Sequence, residues 1–110
     1  MTIAITGRAA TERAPRYLKQ LCSHLGEKLD VEFDKSGGTV RYQDVTAQLT
    51  PTDTTLEIAI SGVEQLNFYR AMGIVAGHLE KFGAKDGLQV DWDDADLAAA
   101  YAAKKEEANN

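Results

Sequence analysis

Two histidines are the residues of this chain best suited to acid–base or ligand chemistry. His24 and His78 are the only histidines among 110 residues, and imidazole is the side chain whose charge changes near neutral pH. With 100° per helical residue, His24 lies at the margin of an apolar stripe, on the flank that also carries Tyr17 and Gln20. His78 lies at the margin of a second stripe. If these helices lie side by side, the two rings could converge at their shared edge; the alternative, which the sequence favours, is that each ring hydrogen-bonds a backbone carbonyl or water.

The remaining reactive side chains predict neither a metal site nor a nucleophile. Zinc takes about four nitrogen or sulfur ligands, whereas Cys22 and His24, two apart on a helix, point about 200° from each other. An iron site of two histidines and one carboxylate remains an alternative. Cys22 lies on the apolar stripe, as a buried small hydrophobe does. The chain contains no nucleophile elbow, phosphate loop or dinucleotide motif, so we predict no catalytic residue and no cofactor.

Charge along the chain argues against a polyphosphate partner. The net charge is -5 and the last 25 residues carry seven acids, whereas nucleic-acid binding requires clustered cations to neutralise phosphates. A small basic patch, formed by Arg13, Arg16 and Lys19, remains near the N-terminus. We expect Arg13 and Arg16 to attract an anionic ligand; the alternative is a solvated helix face. No nucleic-acid partner is predicted.

Hydrophobic periodicity predicts the element order β-α-β-β-β-β-α-β-α. Residues 2–6, 29–60 and 88–92 alternate apolar and polar side chains, which is typical of half-buried strands. Apolar stripes at 18–25 and 68–82 predict two amphipathic helices, and an alanine-rich helix ends the chain. Because the alternate strand positions are polar, we expect an α+β fold, an antiparallel sheet with both main helices packed on one face. Ferredoxin-like and TBP-like strand orders both remain open.

Local signals place the ends of these elements. Ser61 and Glu64 match a capping box that would begin the second helix, and Asp93 or Asp94 can cap the last helix. Because Gly73 and Gly77 have no side chains, they would let another helix pack closely against one face of the second helix, within the chain or across a dimer. We expect one domain over 1–104, with a frayed acidic tail at 105–110.

The compartment and assembly follow from length, hydropathy and cysteine content. Nothing in the sequence has the length and apolarity of a membrane span or a signal-peptide core. A single cysteine suits a reducing cytoplasm. We therefore expect a cytoplasmic protein without a membrane partner, a monomer or weak dimer.

Two segments carry a resemblance to a known family. Residues 16–25 (RYLKQLCSHL), and residues 78–82 (HLEKF) together with 88–92 (LQVDW), resemble an uncharacterised bacterial family catalogued as domain of unknown function 2218. The resemblance spans about residues 5–93. Its pattern positions are Tyr17, Gln20, His24, His78, Phe82 and Trp92. It implies small bacterial proteins sometimes joined to, or encoded near, flavin-type siderophore-interacting reductases, and hence a role in iron or siderophore handling.

The residues and the resemblance together predict a small cytoplasmic binding or accessory domain. The expected partner is a ferric chelate or a siderophore-interacting reductase. The alternative is a small enzyme that uses a histidine as acid or base on a small carbonyl or phenolic substrate. The predicted ligand or partner site comprises Arg13, Arg16, Tyr17, Gln20, His24 and His78.

Overall fold

The alternating segments form the strands of one sheet. The computed structural model describes residues 2–109, with side chains described for 2–103. Its elements are β1 (Ile3–Ala10), α1 (Ala14–Leu25), β2 (Asp30–Asp34), β3 (Gly37–Tyr42), β4 (Val45–Pro51), β5 (Thr55–Gly62), α2 (Gln65–Phe82), a 3-10 turn (Ala84–Asp86), β6 (Val90–Trp92) and α3 (Ala95–Asn109). The frayed tail predicted at 105–110 falls where side chains lie outside the described part of the chain.

The sheet order is β2-β3-β4-β5-β1-β6, and every neighbouring pair is antiparallel. The predicted α+β fold with an antiparallel sheet is therefore confirmed. The meander β2–β5 is continuous and β1 pairs with its last strand. This is the TBP-like alternative with the longer meander, extended by β6 on the outer side of β1.

The strand register sorts side chains onto two faces. Ile5 pairs with Ile60, which pairs with Ala47, and all three are buried beneath the helices. The opposite face is open to solvent and polar, as the alternation predicts. We call it the open face; it carries Thr6, Arg8, Asp30, Glu32, Asp34, Thr39, Arg41, Thr46, Gln48 and Glu57.

Helices α1 and α2 lie antiparallel on the buried face. The start of α1 contacts the turn after α2, through Tyr17 and Asp86, whereas its last turn contacts the interior of α2, through His24 and His78. On the other flank of α2, a Cβ added at Gly73 would lie 3.5 Å from the Tyr101 ring of α3. Nothing lies within 4 Å of a Cβ added at Gly77. Within the described chain, the close packing expected at both glycines therefore occurs at Gly73 alone, against α3.

The start of α2 differs from the capping-box prediction. Ser61 lies in β5, paired with Ala4 of β1, and the N-cap is Glu64, whose carboxylate accepts hydrogen bonds from the backbone N–H groups of Leu66 and Asn67. Ser61 does not cap the helix because α2 begins only at Gln65, four residues later, while Ser61 is still paired in the sheet. For α3 the Asp94 alternative is confirmed: its Oδ1 accepts from the Leu97 N–H at 3.0 Å.

Trp92 of β6 packs against the backbone of β1. Gly7 and Trp92 are register partners, and a Cβ added at Gly7 would lie 2.7 Å from the indole ring. Only glycine permits the ring to lie so close to the backbone of β1. Trp92 thus packs against the hydrophobic core.

Candidate functional site

The two imidazoles meet between α1 and α2. Their ring centroids lie 5.0 Å apart, with the planes inclined at 46°. Phe82, one turn after His78, lies with its ring centroid 5.5 Å from His24 and 6.0 Å from His78. The rings therefore converge, because both residues occupy the stripe margin on the flank where the helices touch, and the backbone hydrogen bond of the other alternative is present as well, at His78.

One nitrogen of His78 is already engaged. Its Nδ1 lies 2.6 Å from the carbonyl oxygen of Ile74. Because a carbonyl oxygen can only accept, Nδ1 donates, and the neutral ring carries its free lone pair on Nε2. His78 is half-buried and His24 is exposed. The backbone bond therefore occupies one nitrogen of this ring and leaves the other for a ligand.

The histidines border a groove that opens beside the end of α1. It has a volume of about 360 Å³. Three apolar side chains, Leu25, Leu29 and Ile74, form its floor, and charged or imidazole side chains form its rim. We call this feature the histidine groove; its lining is His24, Leu25, Glu27, Lys28, Leu29, Ile74 and His78.

Tyr17 and Gln20 share the flank of α1 that carries His24, but they do not line the groove. Tyr17 is only 5% exposed, and its hydroxyl donates to Asp86 Oδ2 at 2.5 Å. That hydrogen bond, together with burial, raises the pKa of Tyr17. Tyr17 therefore ties α1 to the turn after α2. Gln20 is exposed one turn before His24.

Arg13 and Arg16 lie at the opposite end of α1. Arg13 pairs with Asp86 at 3.5 Å, and Arg16 is exposed to solvent. Eleven residues of helix separate Arg13 from His24, about 16 Å along the axis. Neither arginine lines the histidine groove. The six predicted residues thus lie in three places. His24 and His78 meet at the end of α1, Arg13, Arg16 and Tyr17 lie near its start, and Gln20 is exposed between them.

The other residues that line the groove were not predicted from the sequence. Glu27, Lys28 and Leu29 follow the last residue of α1, so helical periodicity could not place them. Ile74 could have been found, because it lies four residues before His78 on the same helix face.

The remaining reactive groups behave as structural residues. Among the described residues, no group of three or more His, Cys, Asp or Glu side chains is placed to hold a metal ion. Cys22 is 1% exposed, and burial raises the pKa of its thiol to about 11.

Two wider depressions lie elsewhere on the surface. One of about 410 Å³ follows the β2–β3 hairpin and β4, around Phe33 and Leu49. The other, of about 500 Å³, lies between β1 and the acidic start of α3, around Thr6 and Asp93. Neither contains an imidazole, so the histidine groove is the better candidate for ligand chemistry.

The fold and this groove define a class: a small α+β protein whose antiparallel sheet carries two antiparallel helices with a cleft between them. The chain belongs to the family described as an uncharacterized protein conserved in bacteria (DUF2218), whose pattern matches residues 6–93. The resemblance seen in the sequence is thereby confirmed.

A solved structure shares the architecture. The NMR structure of PA4090 from Pseudomonas aeruginosa is similar, with a TM-score of 0.70 and 25% sequence identity over 84% of this chain and 96% of that chain. No curated protein matches the chain. None of the helices in the described residues has the length and apolarity that crossing a bilayer requires.

Proposed function

We propose that this chain is a small cytoplasmic binding or accessory domain that holds a small anionic ligand in the histidine groove. The observation that carries the proposal is the convergence of His24 and His78, 5.0 Å apart, beside an apolar floor. Converging polar groups on an apolar surface are the usual composition of a ligand site.

The groove suits a planar or chelated organic anion. Its volume of about 360 Å³ lies within the range of about 300–1,000 Å³ that small-molecule sites occupy. Leu25, Leu29 and Ile74 offer apolar contact, the free imidazole nitrogens offer hydrogen bonds, and the Lys28 ammonium offers a counter-charge beside the Glu27 carboxylate of the same lining. The resemblance implies iron or siderophore handling, so the ligand that we propose is a ferric siderophore.

The proposal is tested by titrating the chain with a ferric catecholate and a ferric hydroxamate, followed by tryptophan fluorescence and calorimetry. We expect saturable binding that the His24→Ala/His78→Ala double variant loses. The matched control is Lys19→Ala/Ser23→Ala, which changes two exposed α1 residues outside the groove and should bind as the wild type does.

Equal binding by the double-histidine variant would overturn the groove as the site. A second titration uses a flavin-type siderophore-interacting reductase in place of the chelate. Binding of the reductase alone, lost in the double-histidine variant, would show that the groove serves a protein partner and would overturn the chelate as its ligand.

One observation favours the alternative, a small enzyme. The Ile74 carbonyl fixes Nδ1–H of His78 and leaves Nε2 as a proton acceptor, the arrangement of a histidine general base. If the chain turns over a small carbonyl or phenolic substrate, His78→Gln should abolish turnover while leaving the fold intact. Turnover that survives this change would exclude His78 as the base.

A further inference from the structure

We propose that His24 and His78 form an open two-imidazole site for a nitrogen-preferring divalent metal ion, with Cu²⁺ bound most tightly. Imidazole suits Cu²⁺, Ni²⁺ and Zn²⁺, and affinity in this series is greatest for Cu²⁺. The inference uses the histidine groove, but it concerns the bare ion and does not depend on an organic ligand.

The distance between the rings fits a shared ion. A metal lies about 2.1 Å from an imidazole nitrogen, and the nitrogen lies about 1.2 Å from its ring centre, so two ligating rings have centroids about 4.7 Å apart at the right angle of a tetragonal Cu²⁺ site and about 5.4 Å apart at a tetrahedral angle. The observed separation is 5.0 Å. Because His24 is exposed, its ring is free to turn a nitrogen toward the ion.

The backbone bond of His78 is the second, independent observation. Metal-binding histidines almost always donate their other ring N–H to a carboxylate, a backbone carbonyl or water, which fixes the tautomer and strengthens the ligand. Nδ1 of His78 does this to the Ile74 carbonyl at 2.6 Å. Nε2 is therefore the ligating atom expected from this ring.

Two protein nitrogens leave further coordination positions for water or an added anion. Glu27 lines the same groove, but among the described residues no carboxylate joins the two histidines in a three-residue group placed to hold a metal ion. Lys28 also lines it, and its long flexible stem lets the ammonium move into solvent when a cation binds. The site is thus open, unlike the closed four-ligand sites that stabilise small folds.

The test is a Cu²⁺ titration of the tag-free chain, followed by calorimetry and by electron paramagnetic resonance. Because the chain contains two histidines, any imidazole hyperfine coupling must come from His24 and His78. We expect one equivalent of Cu²⁺ with two coupled nitrogens. His24→Gln or His78→Gln should each weaken binding by at least about tenfold, and the double variant should lose this site.

The Lys19→Ala/Ser23→Ala control should bind Cu²⁺ as the wild type does. Far-UV circular dichroism and a denaturation midpoint without metal check that each variant folds. Zn²⁺, which is redox-inert, should raise the melting temperature of the wild type and not that of the double-histidine variant.

Unchanged Cu²⁺ affinity in the double variant, or a spectrum without imidazole nitrogen, would overturn the metal site. Its failure is distinguishable from that of the proposed function. Ferric-chelate binding without Cu²⁺ binding rejects only the metal site, and Cu²⁺ binding without chelate binding rejects only the organic ligand.

Discussion

Asp44 connects the β3–β4 turn to the start of α2. Its Oδ2 accepts hydrogen bonds from the backbone N–H groups of Val63 at 2.7 Å and Glu64 at 2.8 Å, and its Oδ1 accepts from the Asn67 amide at 2.9 Å. These bonds, that from Glu64 first, lower the pKa of Asp44 to about 2. We expect Asp44→Ala to lower the melting temperature, and Asp44→Asn to lower it less because one oxygen can still accept.

The lowered pKa of Asp44 gives this effect a pH dependence. A carboxyl group has a pKa of about 3.9 in an unfolded chain, so the folded state binds the proton less well. The stabilisation is therefore complete above about pH 4 and is lost as the pH falls toward 2. Melting curves should show a steeper acid loss for the wild type than for Asp44→Ala. Asp53→Asn, at an exposed turn carboxylate, is the control and should leave the slope unchanged.

Cys22 should be chemically silent in the folded protein. Its thiol lies beneath β3, where a Cβ added at Gly38 would lie 2.8 Å from Sγ, and burial raises its pKa to about 11. A thiol reacts as the thiolate and needs access to the reagent. We expect no reaction with a disulfide reagent at about pH 8 until denaturant is added. Rapid stoichiometric reaction of the native chain would contradict the burial described above.

The two mid-helix glycines of α2 differ in their surroundings. Gly73 lies against Tyr101, whereas a Cβ at Gly77 would meet nothing within 4 Å. Because alanine is favoured over glycine in a helix by about 1 kcal/mol, Gly77→Ala should raise the free energy of unfolding by roughly that amount. Urea unfolding measures it. A destabilised Gly77→Ala variant would mean that another surface packs on this side of α2.

Periodicity predicted the elements better than their ends. The stripes of α1 and α2 and the alternation of the strands were sufficient to predict two helices on one face, because the period follows directly from backbone geometry. The predicted start of α2 was wrong because the deciding contacts are non-local. β1 pairs with Ser61 in the sheet, and Asp44, about twenty residues upstream, accepts the hydrogen bond from the Glu64 N–H that Ser61 would have accepted in a capping box.

In the candidate site as well, features set by helix periodicity could be predicted, whereas features set by distant contacts could not. The stripe margins placed His24 and His78 on helix flanks but left open whether the rings meet, because that depends on which flanks of the two helices face each other. The separation of Arg13 and Arg16 from the histidines could have been estimated from helix length alone. Glu27 and Lys28 could not be placed, because they lie where α1 has ended and no periodic rule fixes the direction of their side chains.

Charge over the whole molecule predicts no affinity for nucleic acid. The net charge is -5, and the open face carries Asp30, Glu32 and Asp34 along its edge strand β2. In the described strands that face has no aromatic side chain on which bases could stack. We expect no shift of duplex or single-stranded DNA in a gel assay at about 50 mM salt. Binding that weakens steeply as salt is added would contradict this.

At the level of the whole molecule, the alternation of apolar and polar residues does not determine the strand order. Both ferredoxin-like and TBP-like arrangements satisfy the same alternation, because each places every apolar face toward the helices. The choice depends on which strands β1 joins, and in this structure it joins β5 and β6.

The contact between Trp92 and Gly7 makes the fluorescence of Trp92 sensitive to the pairing of β6 with β1. The chain has one tryptophan, and the indole sits where the short strand β6 closes against β1 by three register pairs. Its emission therefore reports whether β6 is paired with β1. Displacement of β6 from β1 would expose the indole to water and shift its emission to longer wavelength, so detachment of this strand can be followed with the natural sequence.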